Sequence, residues 1–314
     1  MYLEEQLIIM FFVIFSLISF FITLLSTPFL LKYLSKRNIR GRDLHKDGNP
    51  SIPEMGGLSI LLGMTISLVL SYLTINEHIL IFTLIVAIVI GLLGILDYFI
   101  TLSPIQKVVS FSLVGLLYPL YLWPFDNNGL LLLLILPILF MITCNFTNML
   151  AGFNGLEIGM GAIASFGVSI IAYMNKAEAS LIISSIVFGA LIAFLHFNKF
   201  PAQVFPGDVG TLIIGSSLFI SILNGGFLFL GTIIFFPYIL DAAFKFLSAG
   251  IMSRHSQSPT IIKNGKLYPP TGGNLSLPRV LLRIKPMGEK DLVYCIWSIE
   301  GFFVLIAIVS GAAI

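Results

Sequence analysis

The sequence predicts an all-α polytopic membrane protein with about ten transmembrane helices. Of its 314 residues, 57% are hydrophobic and only 10% are charged, and the mean hydropathy is +1.02. A soluble domain carries roughly 25% charged residues, so this composition excludes an ordinary soluble fold. The apolar runs are continuous rather than alternating, which favours helices over membrane β-strands. Cys144 and Cys295 lie in or beside apolar runs and indicate neither a metal site nor a disulfide framework.

Ten apolar runs each have about the length that a bilayer requires. The first run follows Glu4 and Glu5 and lacks the basic start and the small-residue cleavage site of a signal peptide, so we interpret it as a span. The fourth and fifth runs are short. The predicted spans are 7–31, 56–74, 79–96, 108–123, 129–144, 156–174, 180–197, 210–223, 227–250 and 292–313.

We expect the chain to form one integral membrane domain, residues 1–314. The connections after the odd-numbered spans hold 15 of the 17 Lys and Arg residues. By the positive-inside rule these connections face the cytoplasm, and both termini face outward. Every unusual polar string lies in the same connections, which predicts an active site on the cytoplasmic face of a cell or endoplasmic-reticulum membrane. The predicted site-forming connections are 32–55, 97–107, 145–155, 198–209 and 251–291.

The most polar string beside an apolar run is 145–157, Asn-Phe-Thr-Asn-Met-Leu-Ala-Gly-Phe-Asn-Gly-Leu-Glu. Asn145 and Asn148 are three residues apart, so on a helix end they share a face. Amide oxygens suit a hard cation such as Mg²⁺, or the edge of a nucleobase. Gly152 and Gly155 allow the backbone to turn and to approach a ligand. The alternative is a polar, helix-breaking loop whose groups cap one another.

A second string, Phe-Pro-Gly-Asp-Val-Gly, precedes the eighth span. Asp208 beside a tight glycine turn is a candidate Mg²⁺ ligand, and free N–H groups at a helix start favour phosphate. Phe205 is well placed to stack on a base. The alternative for Asp208 is a helix N-cap, a role that is compatible with metal binding.

Further candidates lie in the first, third and ninth connections. Glu54, beside the turn into the second span, can accept hydrogen bonds from a base or a sugar. Asp97 ends the third span, where an acid is a functional candidate or an interfacial residue that reaches water. Lys107 closes the third connection. The long basic ninth connection, with Arg254 and His255, suits a phosphate-bearing ligand. Binding of lipid headgroups is the alternative for the basic residues of the first and ninth connections.

Two features lie inside predicted spans. Asp241 and Lys245 are four residues apart in the ninth span, and we interpret them as an ion pair. Glu300 in the tenth span has no evident partner in the sequence.

Together these residues offer carboxylates and amides for a metal, Lys and Arg for phosphates, and an aromatic ring for a base. The sequence contains neither a Walker-type glycine-rich loop nor a Ser-His-Asp set. The combination indicates phosphoryl chemistry between a nucleotide-linked donor and a lipid acceptor, in which metal and cation positioning provide most of the catalysis.

The strings at 145–157 and 205–210 resemble those of the polyprenyl-phosphate N-acetylhexosamine-1-phosphate transferases, and the resemblance extends from Gly41 to Leu267 in the same order. The pair Ala151-Gly152 is similar to the eukaryotic and archaeal branch, the UDP-GlcNAc:dolichyl-phosphate GlcNAc-1-phosphate transferases. The bacterial branch, with the phospho-MurNAc-pentapeptide translocase, usually has Asp-Gly there. The other strings that resemble the dolichyl branch are 41–46, 52–57 and 254–267.

The resemblance implies Mg²⁺ as the cofactor, with Mn²⁺ as an alternative, held by Asn148 and Asp208. It implies Asp97, Lys107 and Asp208 as the catalytic residues, with Asp97 as the first acid of the family's paired-aspartate motif. The role of Asp97, orienting the acceptor or assisting the metal, stays open. The second acid of that motif is Tyr98 here, and a tyrosine cannot act as a carboxylate.

The resemblance also implies a nucleotide-sugar site. Asn154 would bind uracil by hydrogen bonds, and Phe205 would stack on it. Lys107 and Arg254 would contact the pyrophosphate. The second arginine of the family's Arg-His-Arg string is Ser256 here, which removes one expected phosphate contact. The substrate-binding residues implied in this way are Leu44 and Glu54 beside the nucleoside, Asn154, Phe205, Arg254, and His255 on the sugar side.

The implied reaction transfers GlcNAc-1-phosphate from UDP-GlcNAc to a polyprenyl or dolichyl phosphate and releases UMP. It would be the first membrane step of lipid-linked glycan assembly, with N-glycan biosynthesis as the first guess. The open alternatives are another UDP-N-acetylhexosamine, a flippase for a lipid-linked sugar, and a non-catalytic binder. The expected partners are both substrates and membrane lipid, without nucleic acid. A homodimer and a monomer both stay open.

Overall fold

The computed structural model of the protein describes residues 2–46, 48–122, 129–250, 259–270 and 274–313. Within these residues the chain is mostly helical. In the described part of the chain, nine helical segments are long and apolar enough to cross a membrane, and one bent helix pair would make a tenth. The predicted helical class and the predicted number of spans are confirmed.

The long helices coincide with the apolar runs of the sequence, and polar or glycine-containing turns separate them. In chain order the helices are α1 (Tyr2–Lys36), α2 (Gly57–Ile75), α3 (His78–Ile100), α4 (Pro104–Gly115), α5 (Leu117–Leu122), α6 (Gly129–Met149), α7 (Leu156–Met174), α8 (Glu178–Asn198), α9 (Gly207–Asn224), α10 (Leu228–Ile234), α11 (Phe236–Ala249), α12 (Leu277–Ile284) and α13 (Glu289–Ala312).

Two short hairpins, which the sequence did not predict, lie in the first and the ninth connections. In the first, β1 (Arg40–Arg42) pairs antiparallel with β2 (Ser51–Pro53). In the second, β3 (Ile261–Lys263) pairs antiparallel with β4 (Lys266–Tyr268) around Asn264 and Gly265, which both have positive φ. Two residues with positive φ are typical of a tight hairpin turn.

The helices reach further into the third connection than hydropathy indicated. α3 continues to Ile100, so Asp97 lies in its last turn. α4 begins at Pro104, because Ser103 and Gln106 form a capping box and a proline is well tolerated in the first turn. Lys107 therefore lies in the first turn of α4, and the predicted connection 97–107 narrows to three residues.

The predicted ninth span, 227–250, is two helices. α10 and α11 are bent by 62° relative to each other. Pro237 lies in the first turn of α11, where its ring and its missing N–H prevent a continuous helix. The predicted ion pair is confirmed, with Lys245 Nζ 2.7 Å from Asp241 Oδ2. Lys245 also donates to the carbonyl oxygen of Met149, which ties α11 to the end of α6.

The centre of the bundle is formed by α7, α8 and α9, whose surfaces are mostly buried, whereas α1, α4 and α6 expose most of theirs. α9 packs against α2, α3, α6, α7 and α8. Apolar side chains such as Leu25 and Phe29 are exposed on α1, as expected where a helix contacts lipid.

Since consecutive spans alternate in direction, the ends of α1, α3, α6 and α8 lie at the same end of the bundle as the starts of α2, α4, α7, α9 and α13. Backbone hydrogen bonds join the connections there. Phe205 N donates to Pro53 O at 2.8 Å, and Gly56 N donates to Phe205 O at 2.8 Å. The first and seventh connections therefore form one unit over this end.

Candidate active site

Three charged side chains from three different helices meet at this end of the bundle. Lys107 Nζ lies 2.5 Å from Asp97 Oδ2 and 3.0 Å from Asp208 Oδ2. Asp97 is buried, and its Oδ1 accepts a hydrogen bond from Leu102 N at 2.7 Å. Asp208 lies in the first turn of α9, one residue past the helix start rather than at the N-cap. The three predicted catalytic residues thus form one cluster, with the ammonium group between the two carboxylates.

Asn148 joins this cluster through α9. Thr211, one turn after Asp208, donates its hydroxyl to Asn148 Oδ1 at 3.0 Å. Asn145 instead donates its Nδ2 to Met141 O on its own helix at 2.9 Å. Of the two amides that share a face in the sequence, Asn148 is the one linked to Asp208. Thr211 was missed by sequence reasoning, although its spacing from Asp208 could have indicated it.

The amide and carboxylate oxygens of this cluster are of the kind that binds Mg²⁺. Asn148 Oδ1 has a second lone pair besides the one that Thr211 uses, and Asp97 and Asp208 supply carboxylates. The Lys107 ammonium between the carboxylates shows that the arrangement accommodates a cation. Among the residues that the structure describes, no group of three His, Cys, Asp or Glu side chains could hold a metal. Mg²⁺ commonly takes one or two carboxylates and completes its shell with substrate phosphates and water, which agrees in ligand type with Asp97, Asp208 and Asn148.

Two glycines let α9 approach its neighbours and so place Asp208. A Cβ atom added to Gly94, one turn before Asp97, would lie 2.7 Å from Val209 N. A Cβ atom added to Gly57 would lie 2.2 Å from Gly210 N. Because the obstructing atoms belong to the backbone, a side chain at either position would have to displace the start of α9. Sequence reasoning did not identify Gly94.

Glu54 and Phe205 both lie close to Gly41 of β1. A Cβ atom added to Gly41 would lie 2.6 Å from Glu54 Oε2 and 3.2 Å from Phe205 Cδ2. Glu54 is largely buried and Phe205 is half-buried, whereas Leu44 in the same connection is exposed. A carboxylate acceptor beside an aromatic face is suited to a base or a sugar.

Asn154 is buried within a polar network. Its Oδ1 accepts from Lys46 Nζ at 2.7 Å and from Ala202 N at 2.8 Å, and its Nδ2 donates to Asp43 Oδ2 at 3.0 Å. Lys46 Nζ also lies 2.6 Å from Asp43 Oδ2 and 2.9 Å from Glu289 Oε2. Glu289 Oε1 accepts from Asn154 N at 2.7 Å. Sequence reasoning identified Asn154 but gave no role to Asp43, Lys46 or Glu289. Nothing in the local sequence around these residues shows that they meet in the fold.

Thr260 of the ninth connection lies close to the 145–155 string, and His45 of the first connection links the two. His45 Nδ1 lies 2.6 Å from Thr260 Oγ1, and the His45 ring stacks on Phe153 with 4.2 Å between ring centres. Two residues of this connection that were predicted to contact the ligand, Arg254 and His255, lie outside the described residues. So does Ser256, which stands where the family has its second arginine.

The burial of His45 predicts a pH dependence of stability. Burial lowers the pKa of His45 from its ordinary 6.5 to about 4, against the opposing effect of Asp43. The unfolded chain therefore binds more protons than the folded protein between these two values, so stability is lost as the pH falls from 6.5 toward 4. At pH 5 the loss is about 2 kcal/mol.

The measurement is Tm at pH 7.5 and at pH 5 for the wild type and for His45→Gln. We expect a smaller fall in Tm for the variant, because it lacks the titrating ring. An equal fall in both proteins would contradict the assignment.

The hydroxyl of Tyr98 is engaged with β1. It accepts a hydrogen bond from Arg40 N at 3.2 Å, and its ring packs edge-on against Phe99. Tyr98 therefore connects the end of α3 to the first connection, while Asp97 and Asp208 provide the two carboxylates of the cluster.

We expect Tyr98→Phe to keep its transfer rate within about threefold of the wild type and to lose about 0.5–1.5 kcal/mol of stability, the net value of one hydrogen bond. The matched comparison is Asp97→Asn at the preceding position, assayed for rate under identical conditions. A rate loss in Tyr98→Phe as large as that in Asp97→Asn would show that the hydroxyl takes part in the reaction.

Comparison with known proteins identifies a family and several relatives. The family model described as glycosyl transferase family 4 matches residues 79–226. A protein of Methanocaldococcus jannaschii named "Putative glycosyltransferase" is 40% identical over 89% of this chain and 91% of its own length. A Saccharolobus solfataricus protein named "Putative UDP-N-acetylglucosamine--dolichyl-phosphate N-acetylglucosaminephosphotransferase" is 30% identical over 93% of this chain and 94% of its own.

Bacterial proteins match a smaller part of the chain. The phospho-N-acetylmuramoyl-pentapeptide-transferase of Halalkalibacterium halodurans is 31% identical over 64% of this chain and 71% of its own length. The matched family region includes Asp97, Lys107, Asn148, Asn154 and Asp208, so the cluster and one end of the network both lie inside it.

Proposed function

Because this chain belongs to glycosyl transferase family 4, we propose that it transfers GlcNAc-1-phosphate from UDP-GlcNAc to a polyprenyl phosphate such as dolichyl phosphate. The observation that carries the proposal is the cluster in which Lys107 joins Asp97 and Asp208 beside Asn148. The names of the archaeal relatives support the choice of donor and acceptor. The products would be polyprenyl-diphosphate-GlcNAc and UMP.

Different residues of the chain would bind the uridine and the diphosphate of the donor. Glu54, Phe205 and Asn154 would bind the uridine, since an acceptor, an aromatic face and an amide recognise a base by hydrogen bonds and stacking. Lys107 would contact the diphosphate, because its ammonium group is the cation in the cluster. Asp97 would hold Lys107 in place from the buried side.

In the transfer, an oxygen of the acceptor phosphate forms a bond to the sugar-linked phosphorus of the donor. The bond from that phosphorus to the oxygen that bridges to the UMP phosphate breaks, and this oxygen leaves with UMP. The acceptor is already mostly a dianion at neutral pH, since the second pKa of a phosphate monoester is ~6. A strong general base is therefore unnecessary, and correct placement and charge stabilisation supply the rate.

Asn148 and Asp208 would hold Mg²⁺, with Asp97 close by. When bound, the ion would neutralise charge on the diphosphate and on the leaving UMP. Thr211 would keep the amide oxygen of Asn148 directed at α9 through its hydroxyl.

We place the site at the cytoplasmic face of an integral membrane protein. The connections predicted after the odd-numbered spans contain 15 of the 17 Lys and Arg residues of the sequence, which supports this orientation by the positive-inside rule. A polyprenyl phosphate in that leaflet would present its headgroup to the cluster from the membrane. The product would enter lipid-linked glycan assembly.

The test is release of UMP by the purified protein in nanodiscs, with dolichyl phosphate or Mg²⁺ omitted in turn. We expect release only when both are present, and a lipid product that contains the sugar and two phosphates. UDP-GalNAc and UDP-MurNAc-pentapeptide serve as competing donors, the second because of the similarity to the bacterial transferases. Binding of UDP-GlcNAc without any release would contradict the proposal and favour a non-catalytic binder.

A further inference from the structure

The ammonium group of Lys46 uses all of its hydrogen-bonding capacity inside the protein. It has three donors, and three acceptors surround it: Asp43 Oδ2 at 2.6 Å, Asn154 Oδ1 at 2.7 Å and Glu289 Oε2 at 2.9 Å. The side chains of Asp43 and Glu289 are each only 3% exposed. Lys46 is therefore held in one position by two carboxylates and one amide.

This arrangement fixes the orientation of the Asn154 amide. Its Oδ1 receives two donors, Lys46 Nζ and Ala202 N, and its Nδ2 faces a carboxylate of Asp43. An amide turned by 180° would point its NH₂ group at the ammonium and at an N–H, and its oxygen at a carboxylate. All three contacts would become repulsive, so the network permits one orientation.

The fixed orientation limits what Asn154 can offer to a ligand. Its oxygen already accepts two hydrogen bonds, and one of its two N–H groups donates to Asp43. The remaining capacity is one N–H donor. A ligand group that meets this side chain must therefore be an acceptor, such as a carbonyl oxygen of a pyrimidine base.

We propose that Glu289, together with Lys46 and Asp43, positions the Asn154 amide so that its nitrogen donates to a carbonyl oxygen of the donor's base. This role rests on the proposed function. Glu289 acts twice, since one oxygen holds Lys46 and the other accepts the backbone N–H of Asn154 at 2.7 Å. The first turn of α13 thereby fixes a nucleotide-binding residue that precedes it by 135 positions.

Orientation is the clearest consequence of this network. A buried ion network is often no more stabilising than well-packed apolar side chains, so stability alone does not account for two carboxylates around one ammonium. Fixing the amide before the ligand arrives lowers the ordering cost of binding.

The test is the affinity of the purified protein for UMP, measured by calorimetry, for Glu289→Gln and Lys46→Met. In Glu289→Gln the side-chain oxygen can still accept from Asn154 N, but the NH₂ group faces Lys46 and loosens it. We expect UMP to bind about 3- to 10-fold more weakly, the effect of losing one hydrogen bond between neutral groups. Lys46→Arg keeps the charge and several donors, and we expect it to recover part of the affinity.

Glu300→Gln is the matched control. Glu300 lies on the same helix and is fully buried, and among the described residues its carboxylate has no hydrogen-bond partner. We expect its UMP affinity to stay within about twofold of the wild type.

The values of kcat and KM for Glu289→Gln separate a positioning role from a structural one. At saturating donor, kcat of Glu289→Gln should stay within about threefold while KM rises with the UMP Kd, because the Asp97–Lys107–Asp208 cluster is untouched.

The outcomes separate the two proposals. A wild type that binds no UMP would contradict the proposed function, and the positioning role with it. A wild type that binds UMP, with Glu289→Gln binding it equally well, would contradict the positioning role alone. A Glu289→Gln variant whose kcat and Tm both fall, with KM unchanged, would show that the network is structural only.

Discussion

Asp208→Asn is expected to lower the transfer rate by about 10²–10³-fold, the usual effect of removing one group that stabilises charge in the transition state. Asp208 pairs with Lys107 at 3.0 Å and lies one turn before Thr211, which holds Asn148. Asparagine keeps the shape of the side chain and removes its charge, so the loss would report on electrostatics rather than on packing. The measurement is kcat at saturating donor and acceptor.

The control is UMP binding by the same variant. Asp208 is not among the residues proposed to hold the base, so we expect the UMP Kd to stay within about fivefold of the wild-type value. The Mg²⁺ concentration that gives half of the maximal rate should rise, since a candidate ligand has lost its charge. Full Mg²⁺-dependent transfer by Asp208→Asn, or by Asp208→Ala, would contradict the role given to this cluster.

Gly94→Ala is expected to reduce transfer by about 10²-fold, because a displacement of about 1 Å in a catalytic group can have that effect. The added methyl group would lie 2.7 Å from Val209 N and 3.0 Å from the Asp208 carbonyl carbon. Both are backbone atoms, so relief requires movement of the start of α9 away from α3. Asp208 would then move relative to Asp97 and Lys107.

Gly91→Ala is the matched control on the same helix. Its added Cβ atom would lie 3.1 Å from Leu61 Cδ2, the flexible end of a side chain. Both substitutions raise helix propensity by about 1 kcal/mol, so the pair cancels that contribution. We expect Gly91→Ala to retain most of its activity. Equal activities in the two variants would show that contact between α3 and α9 does not position Asp208.

Hydropathy and charge were sufficient to predict the membrane spans, because each span must satisfy the same length and polarity requirement. Hydropathy and charge were less accurate at the ends of the helices. Asp97 and Lys107 look like loop residues when each is counted by itself, yet each lies within a helix, and the two form an ion pair at 2.5 Å. The local signals for the start of α4, a Ser103 cap followed by Pro104, are present in the sequence.

The site was only partly predictable for a similar reason. Asp208 and Asn154 stand in unusual local strings, so their types and neighbours mark them. Glu289 and Gly94 have ordinary neighbours, and their importance arises from contacts with distant segments that have no local signature. Gly41 was recognised as the start of a string, but its close approach to both Glu54 and Phe205 depends on tertiary packing.

A decisive measurement follows the phosphate next to the sugar. UDP-GlcNAc labelled in that phosphate is incubated with the purified protein, Mg²⁺ and dolichyl phosphate, and the label is then located in the lipid or the aqueous fraction. Transfer of the sugar with its phosphate predicts that the label enters the lipid and that unlabelled UMP is released in equal amount. Label that stays in aqueous UDP while the sugar enters the lipid would show an ordinary glycosyl transfer and would contradict the mechanism.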